Sequence, residues 1–306
     1  MLSIIVSLFV VLVVIRAAVL LVRMFLTWLG RGRVLRSAIE EGRVGGAVVC
    51  AVETANAWRG GGPRQRLSSE QRAAVRKAHV EMREEYVRGM RLGWYQVVIV
   101  FLVGSVLGLI LEQAWMLVTA GNTESRVGLV WGPFSPLYGT GAVLLTIIMF
   151  YLYRRKISWL AVLLISAVVG TSLEQLTGWG METLFHAESW TYLAYPDHIT
   201  KWTAWRFALI WGMLGLVWEH EVMPELLYCI GMPTTTRQVT FVFLLAVYLA
   251  ADIFMTVACF TRMTERDAGV PADSAFDQYL DANYSDAFVK NRFQNLTVSS
   301  ADADGS

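Results

Sequence analysis

Charge is scarce in this 306-residue chain: Asp, Glu, Lys and Arg together make up 17% of it, where soluble globular proteins carry roughly 25%. Cysteine is scarcer. Cys50, Cys229 and Cys259 stand apart with no C-x-x-C pair, so neither a disulfide framework nor a cysteine zinc site is indicated. No G-x-x-x-x-G-K pattern occurs, and the chain has no recognisable ATP site of its own. Metal-binding H-x-x-x-H and H-E-x-x-H spacings are also missing, and no metal or cofactor is expected. The net charge of +1 gives no support for a nucleic-acid partner.

What the chain has in quantity is apolar sequence. It is 55% hydrophobic, with a mean hydropathy of +0.47, and runs of the roughly 20 residues needed to cross a bilayer recur. The fold class is therefore all-α, a multi-pass helix bundle in the cell membrane. Six spans are expected, at about 2–28, 94–119, 137–153, 158–182, 204–222 and 239–261. Arg16 and Arg23 interrupt the first. With no basic leader and no small-residue cleavage site, it reads as an uncleaved anchor. Twelve Trp and eleven Tyr suit aromatic belts at the two membrane interfaces.

The polar segments divide the chain into an anchor (1–30), a basic insert (31–93), a core of four spans (94–230), a last span (231–261) and a tail (262–306). Residues 31–92 carry thirteen Arg and Lys against seven Asp and Glu, a net of +6. Ser68-Ser69-Glu70-Gln71 has a capping-box pattern and predicts a charged helix running into the second span. With Arg154, Arg155 and Lys156, this insert marks the cytoplasmic side. Loops 120–136 and 183–203, with one basic residue each (Arg126 and Lys201), fall outside. The tail has four basic and eight acidic residues, net −4. Phe276, Leu280, Tyr284 and Phe288 recur in it at helical spacing, and its last dozen residues read as disordered.

Two glutamates break the apolar runs. Gly104, Gly108 and Glu112 share one face of the second span; Ser166, Gly170, Glu174 and Gly178 share one face of the fourth. Small residues four apart let another helix approach closely, so both carboxylates should face a packed interior or a wet cavity. Lipid exposure would cost each roughly 2.5 kcal/mol or more. Each is followed by Gln and then by an aromatic, Trp115 or Trp179, which admits a direct repeat of two helix pairs. The carboxylates are either structural, bonded to a neighbouring helix or to Arg16 or Arg206, or a substrate, ion or proton site.

Between the second and third spans lies a Pro/Gly-rich loop with Trp131, Gly132, Pro133, Pro136, Tyr138, Gly139 and Gly141. Prolines forbid a helix there and glycines permit tight turns. G-x-x-x-E (Gly108–Glu112), the G-P-x-x-P-x-Y-G-x-G loop (Gly132–Gly141), L-E-x-L-T-G-W-x-x-E-x-L-F (Leu173–Phe185), the W-x-Y turn (Trp190–Tyr192) and W-G-x-x-G (Trp211–Gly215) occur in this order. The combination resembles the bacterial membrane proteins described as "putative ABC-transporter type IV", or CmpB-like, over about residues 97–228. Ser135 stands where that family usually has Cys, Thr191 and Leu193 where it has Asp and Ser, and the His198–Ala204 stretch lacks its Asn-x-x-Gly. The resemblance implies a permease with a separate ATPase subunit. The E-A-A-x-x-x-G coupling loop of a typical importer permease is not seen.

Lesser candidates are Glu221 with Glu225 as a carboxylate pair, His186, Asp197 and His198 as partners of a glutamate around a cation, and Asp252 as a lone buried acid in the last span. The leading expectation is a transport component rather than an enzyme. An outward-opening polar cavity would be lined by Glu112, Glu174, Trp131, Gly132, Pro133, Pro136, Tyr138, Gly139, Trp190, Tyr192 and Trp211. The lipid bilayer, an ATPase subunit or a second copy of the chain would be its partner. The alternatives are an intramembrane enzyme acting on a lipid or envelope precursor, with a glutamate and His186 or His198, and a non-catalytic scaffold.

Overall fold

The computed structural model describes residues 68–121, 124–153, 155 and 157–298, with positions 42, 46 and 48–50. The expected span at 2–28, nearly all of the insert before residue 68, and residues 299–306 lie outside the described residues. Helix α1 (Ser69–Gly89) opens on the expected capping box. The Gln71 amide donates to Ser68 Oγ at 3.1 Å and the Ser68 amide to Gln71 Oε1 at 2.9 Å. The helix does not run on into the next span. Met90 adopts extended backbone, and α2 (Trp94–Ala120) starts afresh after Gly93.

Next along the chain come α3 (Pro136–Tyr153), α4 (Trp159–Phe185), strand β1 (Ala187–Glu188), α5 (Trp205–Val217), α6 (Met223–Ile230), α7 (Thr236–Asp267), α8 (Ala275–Asn283), α9 (Asp286–Arg292) and strand β2 (Thr297–Val298). Apart from these two short strands, the described residues form an all-α bundle. Four helices, α2, α3, α4 and α7, are long and apolar enough to cross a membrane. Trp94 and Trp159 at the starts of α2 and α4, and Trp115 and Trp179 farther along them, are all exposed. At 1.5 Å per residue each pair of tryptophans is separated by about 30 Å, the thickness of a hydrocarbon core.

The fifth expected span, 204–222, is helical over Trp205–Val222 but changes geometry within it. Regular α geometry in α5 covers 13 residues, about 20 Å, and is succeeded by a π turn at Trp218–Val222, where the Met223 amide reaches the Trp218 carbonyl. Pro224 supplies the cause: its ring would collide with the carbonyl four residues back, and widening the turn by one residue relieves the clash. The chain then continues as α6.

The helices pair as hairpins, α2 with α3 and α4 with α5. A Cβ at Gly104 would meet Ala142, and one at Gly108 would meet Tyr138. In the second hairpin Ser166 meets Gly215, and Gly170 meets Trp211. A step of four along the first helix is thus a step of four back along the second, in both hairpins. The sequence agrees: Phe134-x-x-x-Tyr138-Gly139-x-x-Ala142 in one matches Phe207-x-x-x-Trp211-Gly212-x-x-Gly215 in the other. This shared register supports the direct repeat that the two glutamate stretches admit.

At one end of the bundle α1 lies against α6, with His79 Nε2 3.0 Å from Glu225 Oε2 and the Met232 amide donating to Tyr86 Oη at 2.9 Å. At the other end the tail folds back. Its apolar residues do not form one helix: the break at Tyr284–Ser285 leaves Phe276 and Phe288 exposed. Leu280, Tyr284, Val289 and Phe293 instead pack with Met255, Cys259, Phe260 and Met263 of α7. Part of the stretch expected to be disordered is ordered, since Thr297–Val298 pairs antiparallel with Ala187–Glu188.

Candidate functional site

The two glutamates are served by the hairpin register. The Tyr138 ring lies on Gly108, one turn before Glu112, and the Trp211 ring lies on Gly170, one turn before Glu174. These positions tolerate no larger residue because the facing ring occupies the place of a side chain. The two rings stack on each other, with centroids 6.2 Å apart and planes 29° apart. The Tyr138 phenol lies close enough to Glu112 and Glu174 to feel the charge of both. Trp211 and Tyr192 are the groups turned toward Glu174.

Tyr192 comes from the loop after β1, where its ring lies on Phe207 at 4.4 Å and 13°. That loop folds over the end of α4: Thr200 Oγ1 donates to Gln175 Oε1 at 2.6 Å, Trp190 Nε1 donates to the Trp202 carbonyl at 3.1 Å, and Trp202 lies against Gly178. Burial, then the charges of Glu174 and Glu112, push the Tyr192 phenol well above its ordinary pKa. It remains a protonated donor at any physiological pH.

The carboxylates differ in their compensation. Glu112 Oε1 accepts from Arg126 Nη1 at 3.0 Å in a mostly buried ion pair. Glu174 is 8% exposed, and its Oε2 has no hydrogen-bond partner among the described residues. The only basic residue of its own loop, Lys201, is held elsewhere, at 2.7 Å from Glu182 and 2.6 Å from Glu188.

Glu112, Tyr138, Glu174, Tyr192 and Trp211 are thus brought together. Trp131 and Gly132 make their contacts with α7 and the tail. The Trp131 amide donates to Asp252 Oδ1 at 2.9 Å and its indole N–H to Tyr284 Oη at 2.9 Å, while Arg292 Nη2 donates to the Gly132 carbonyl at 2.7 Å. Pro133 is exposed, Pro136 starts α3 against Gly128, and Gly139 packs on Ser105 and Phe101. Asp252, fully buried, serves as a packing partner that ties this loop to α7.

The lesser candidates are bound up in other contacts. Asp197 pairs with Arg206 at 2.6 Å, Glu225 with His79, and exposed His198 Nδ1 lies 2.7 Å from the Tyr195 carbonyl. Neither His186 nor His198 is among the groups acting on Glu112 or Glu174, and the described residues contain no cluster of three or more His, Cys, Asp or Glu suited to a metal. Arg126, the partner of Glu112, was not among the expected site residues. The signal for it was there, as the only basic residue of its loop.

The chain matches the family model described as "Putative ABC-transporter type IV" over residues 99–257. The match reaches into α7, farther than the motifs that carry the resemblance, and covers Glu112, Arg126, Tyr138, Glu174, Tyr192, Trp211 and Asp252. No curated protein and no solved structure matches.

Proposed function

Since the chain belongs to the family described as "putative ABC-transporter type IV", we propose that it is the membrane component of a transport system, coupled to a cation or proton through the Glu112–Tyr138–Glu174 cluster. The observation that carries this reading is the convergence of two carboxylates, Glu174 buried and Glu112 largely so, one from each similar hairpin, on a single aromatic stack. Ionisable groups within membrane helices are costly and are kept chiefly where they act.

The cluster lies toward the end of the bundle where loops 121–135 and 186–204 and the tail gather. Sequence charge assigns that end to the outside, so the site opens outward, in a multi-pass protein of the cell membrane. The family description implies an ATPase partner, which would meet the opposite end, where α1, α6 and the turn at Arg155 present their charges.

Full-length protein reconstituted in vesicles loaded with a pH-sensitive dye tests the reading. Under an imposed membrane potential these vesicles should pass protons or monovalent cations faster than empty ones, and Glu112→Gln with Glu174→Gln should abolish the difference. Flux no greater than that of empty vesicles, at both polarities and with each of H⁺, Na⁺ and K⁺, refutes it.

A further inference from the structure

The two hairpins share a register but differ in how their carboxylates are neutralised, and this difference assigns their roles. We propose that Glu174 alone is the proton-binding group of the cluster, and that Glu112 with Arg126 is a fixed ion pair that positions Tyr138. The inference rests on reading the cluster as a functional site and deepens it by naming the ligand and the residue that takes it.

The surroundings of Glu174 can be gone through element by element. From α3 comes Tyr138, whose phenol feels both carboxylates. From α5 comes the Trp211 indole, and from the loop after β1 the Tyr192 phenol. From α2 the only charge is that of Glu112, already matched by Arg126. Arg206 of α5 is held by Asp197 and Lys201 by Glu182 and Glu188, so among the described residues no cation faces Glu174. A carboxylate buried in a membrane helix without a cation becomes neutral most readily by binding a proton.

The packing also selects the ligand. Gly170 and Gly178 on either side of Glu174 are filled by the Trp211 and Trp202 rings, which would overlap even a methyl group. A metal ion or an organic ammonium needs a gap beside the carboxylate, in a helix face packed this closely; a proton needs none. It forms one O–H bond at Oε2, the oxygen without a partner among the described residues. Hydronium gives up the proton, breaking one of its O–H bonds and leaving water, while the carboxylate goes from −1 to neutral.

Asp252 is the rival, since its Oδ2 is also without a partner among the described residues. Its Oδ1, however, takes the Trp131 amide at 2.9 Å, and the cation of Arg292 lies within electrostatic reach of it, whereas no cation among the described residues faces Glu174.

Infrared difference spectra of the purified full-length chain, recorded as pH is lowered, test the assignment without any flux. A buried carboxylic-acid C=O band should appear, persist in Glu112→Gln and Asp252→Asn, and be lost in Glu174→Gln. Loss in either of the first two variants with retention in Glu174→Gln overturns the proposal, as does the lack of any such band in the unaltered protein. If Glu174→Gln does not fold, Tyr192→Phe decides: it removes the phenol beside Glu174 and should move the band to higher frequency, and an unmoved band overturns the proposal. Vesicles that pass no ions would remove the transport reading while the spectra still ruled on Glu174.

Discussion

Gly170 and Gly180 lie in the same helix, and replacing each with Ala should have opposite effects. A methyl at Gly180 meets nothing within 4 Å, so Gly180→Ala gains only the reduced freedom of the unfolded chain, roughly 0.5–1 kcal/mol. A methyl at Gly170 would lie 2.6 Å from Trp211 Cβ and closer still to Cγ and Cδ2. The indole has little freedom to withdraw. Its far edge is 3.5 Å from the position a Gly141 Cβ would take, and its face stacks on Tyr138. Overpacking of this kind typically costs 1–3 kcal/mol, which exceeds the same entropic gain. The two variants should therefore separate by about 1–3 kcal/mol, the overpacking cost itself since the entropic gain is common to both, readable as thermal midpoints of the detergent-purified protein on either side of the parent. A Gly170→Ala protein as stable as Gly180→Ala would refute the close α4–α5 approach and, with it, the seat of Trp211 beside Glu174.

Gly108→Ala should behave like Gly170→Ala in the same assay, because its methyl would fall 2.9 Å from Tyr138 Cδ2 and nearer still to Cβ and Cγ; a neutral effect would break the equivalence of the hairpins. Arg126→Ala strands a largely buried Glu112 and should cost about 3 kcal/mol, most of it recovered in the double variant with Glu112→Gln; no recovery would mean that the ion pair is not the cause. Arg292→Ala removes donors from the Leu129 and Gly132 carbonyls, at 3.0 and 2.7 Å, for roughly 2–3 kcal/mol at charge-assisted strength, and should speed amide exchange across 128–134, whereas unchanged exchange would show that the tail does not hold the loop. The guanidinium groups of Arg262 and Arg266 hold the Asp281 carboxyl at about 2, below the ~3.9 of a free Asp. Its contribution is therefore complete above about pH 4 and is lost as pH falls through about 2; Trp131 fluorescence should report tail release over that window, and an identical curve for Asp281→Asn would exclude Asp281 as the group responsible.

Local patterns made much of this architecture legible. The capping box at Ser68–Gln71 and the α2, α3, α4 and α7 spans rest on runs whose periodicity and composition need no distant partner. The small-residue stripes before Glu112 and Glu174 also predicted close packing on that face. What filled the stripes was not readable. That Tyr138 would sit on Gly108 depends on where the 121–135 loop closes, and nothing in the spacing fixes that. Pro224 was visible, but whether a proline ends, kinks or widens a helix is decided by the packing of the segment beyond it, and here α6 has a full apolar face to bury. The grip of the tail was hidden for another reason. Arg292 bonds to backbone carbonyls more than 150 positions away, and a carbonyl oxygen is the same in every residue.

The difference between the two carboxylates originates in the loops. Within the helices, Glu112 and Glu174 occupy matching places: a glycine one turn before each, an aromatic ring on that glycine, and a small residue facing one turn earlier. Each hairpin also has a single basic residue in its connecting loop. The short loop between α2 and α3 returns Arg126 to its own glutamate. In the longer one between α4 and α5, Lys201 bridges Glu182, in the last turn of α4, to Glu188 of β1. Those acids hold Lys201 away from Glu174, while Tyr192 from the same loop supplies a phenol where the other hairpin supplies a guanidinium. On the assignment proposed above, two helix pairs built alike hold one carboxylate fixed in an ion pair and another whose ready route to neutrality is a proton. An ancestral duplication followed by divergence in the loops and the helix end beside them would produce that asymmetry without disturbing the glycine–aromatic packing on which both halves depend.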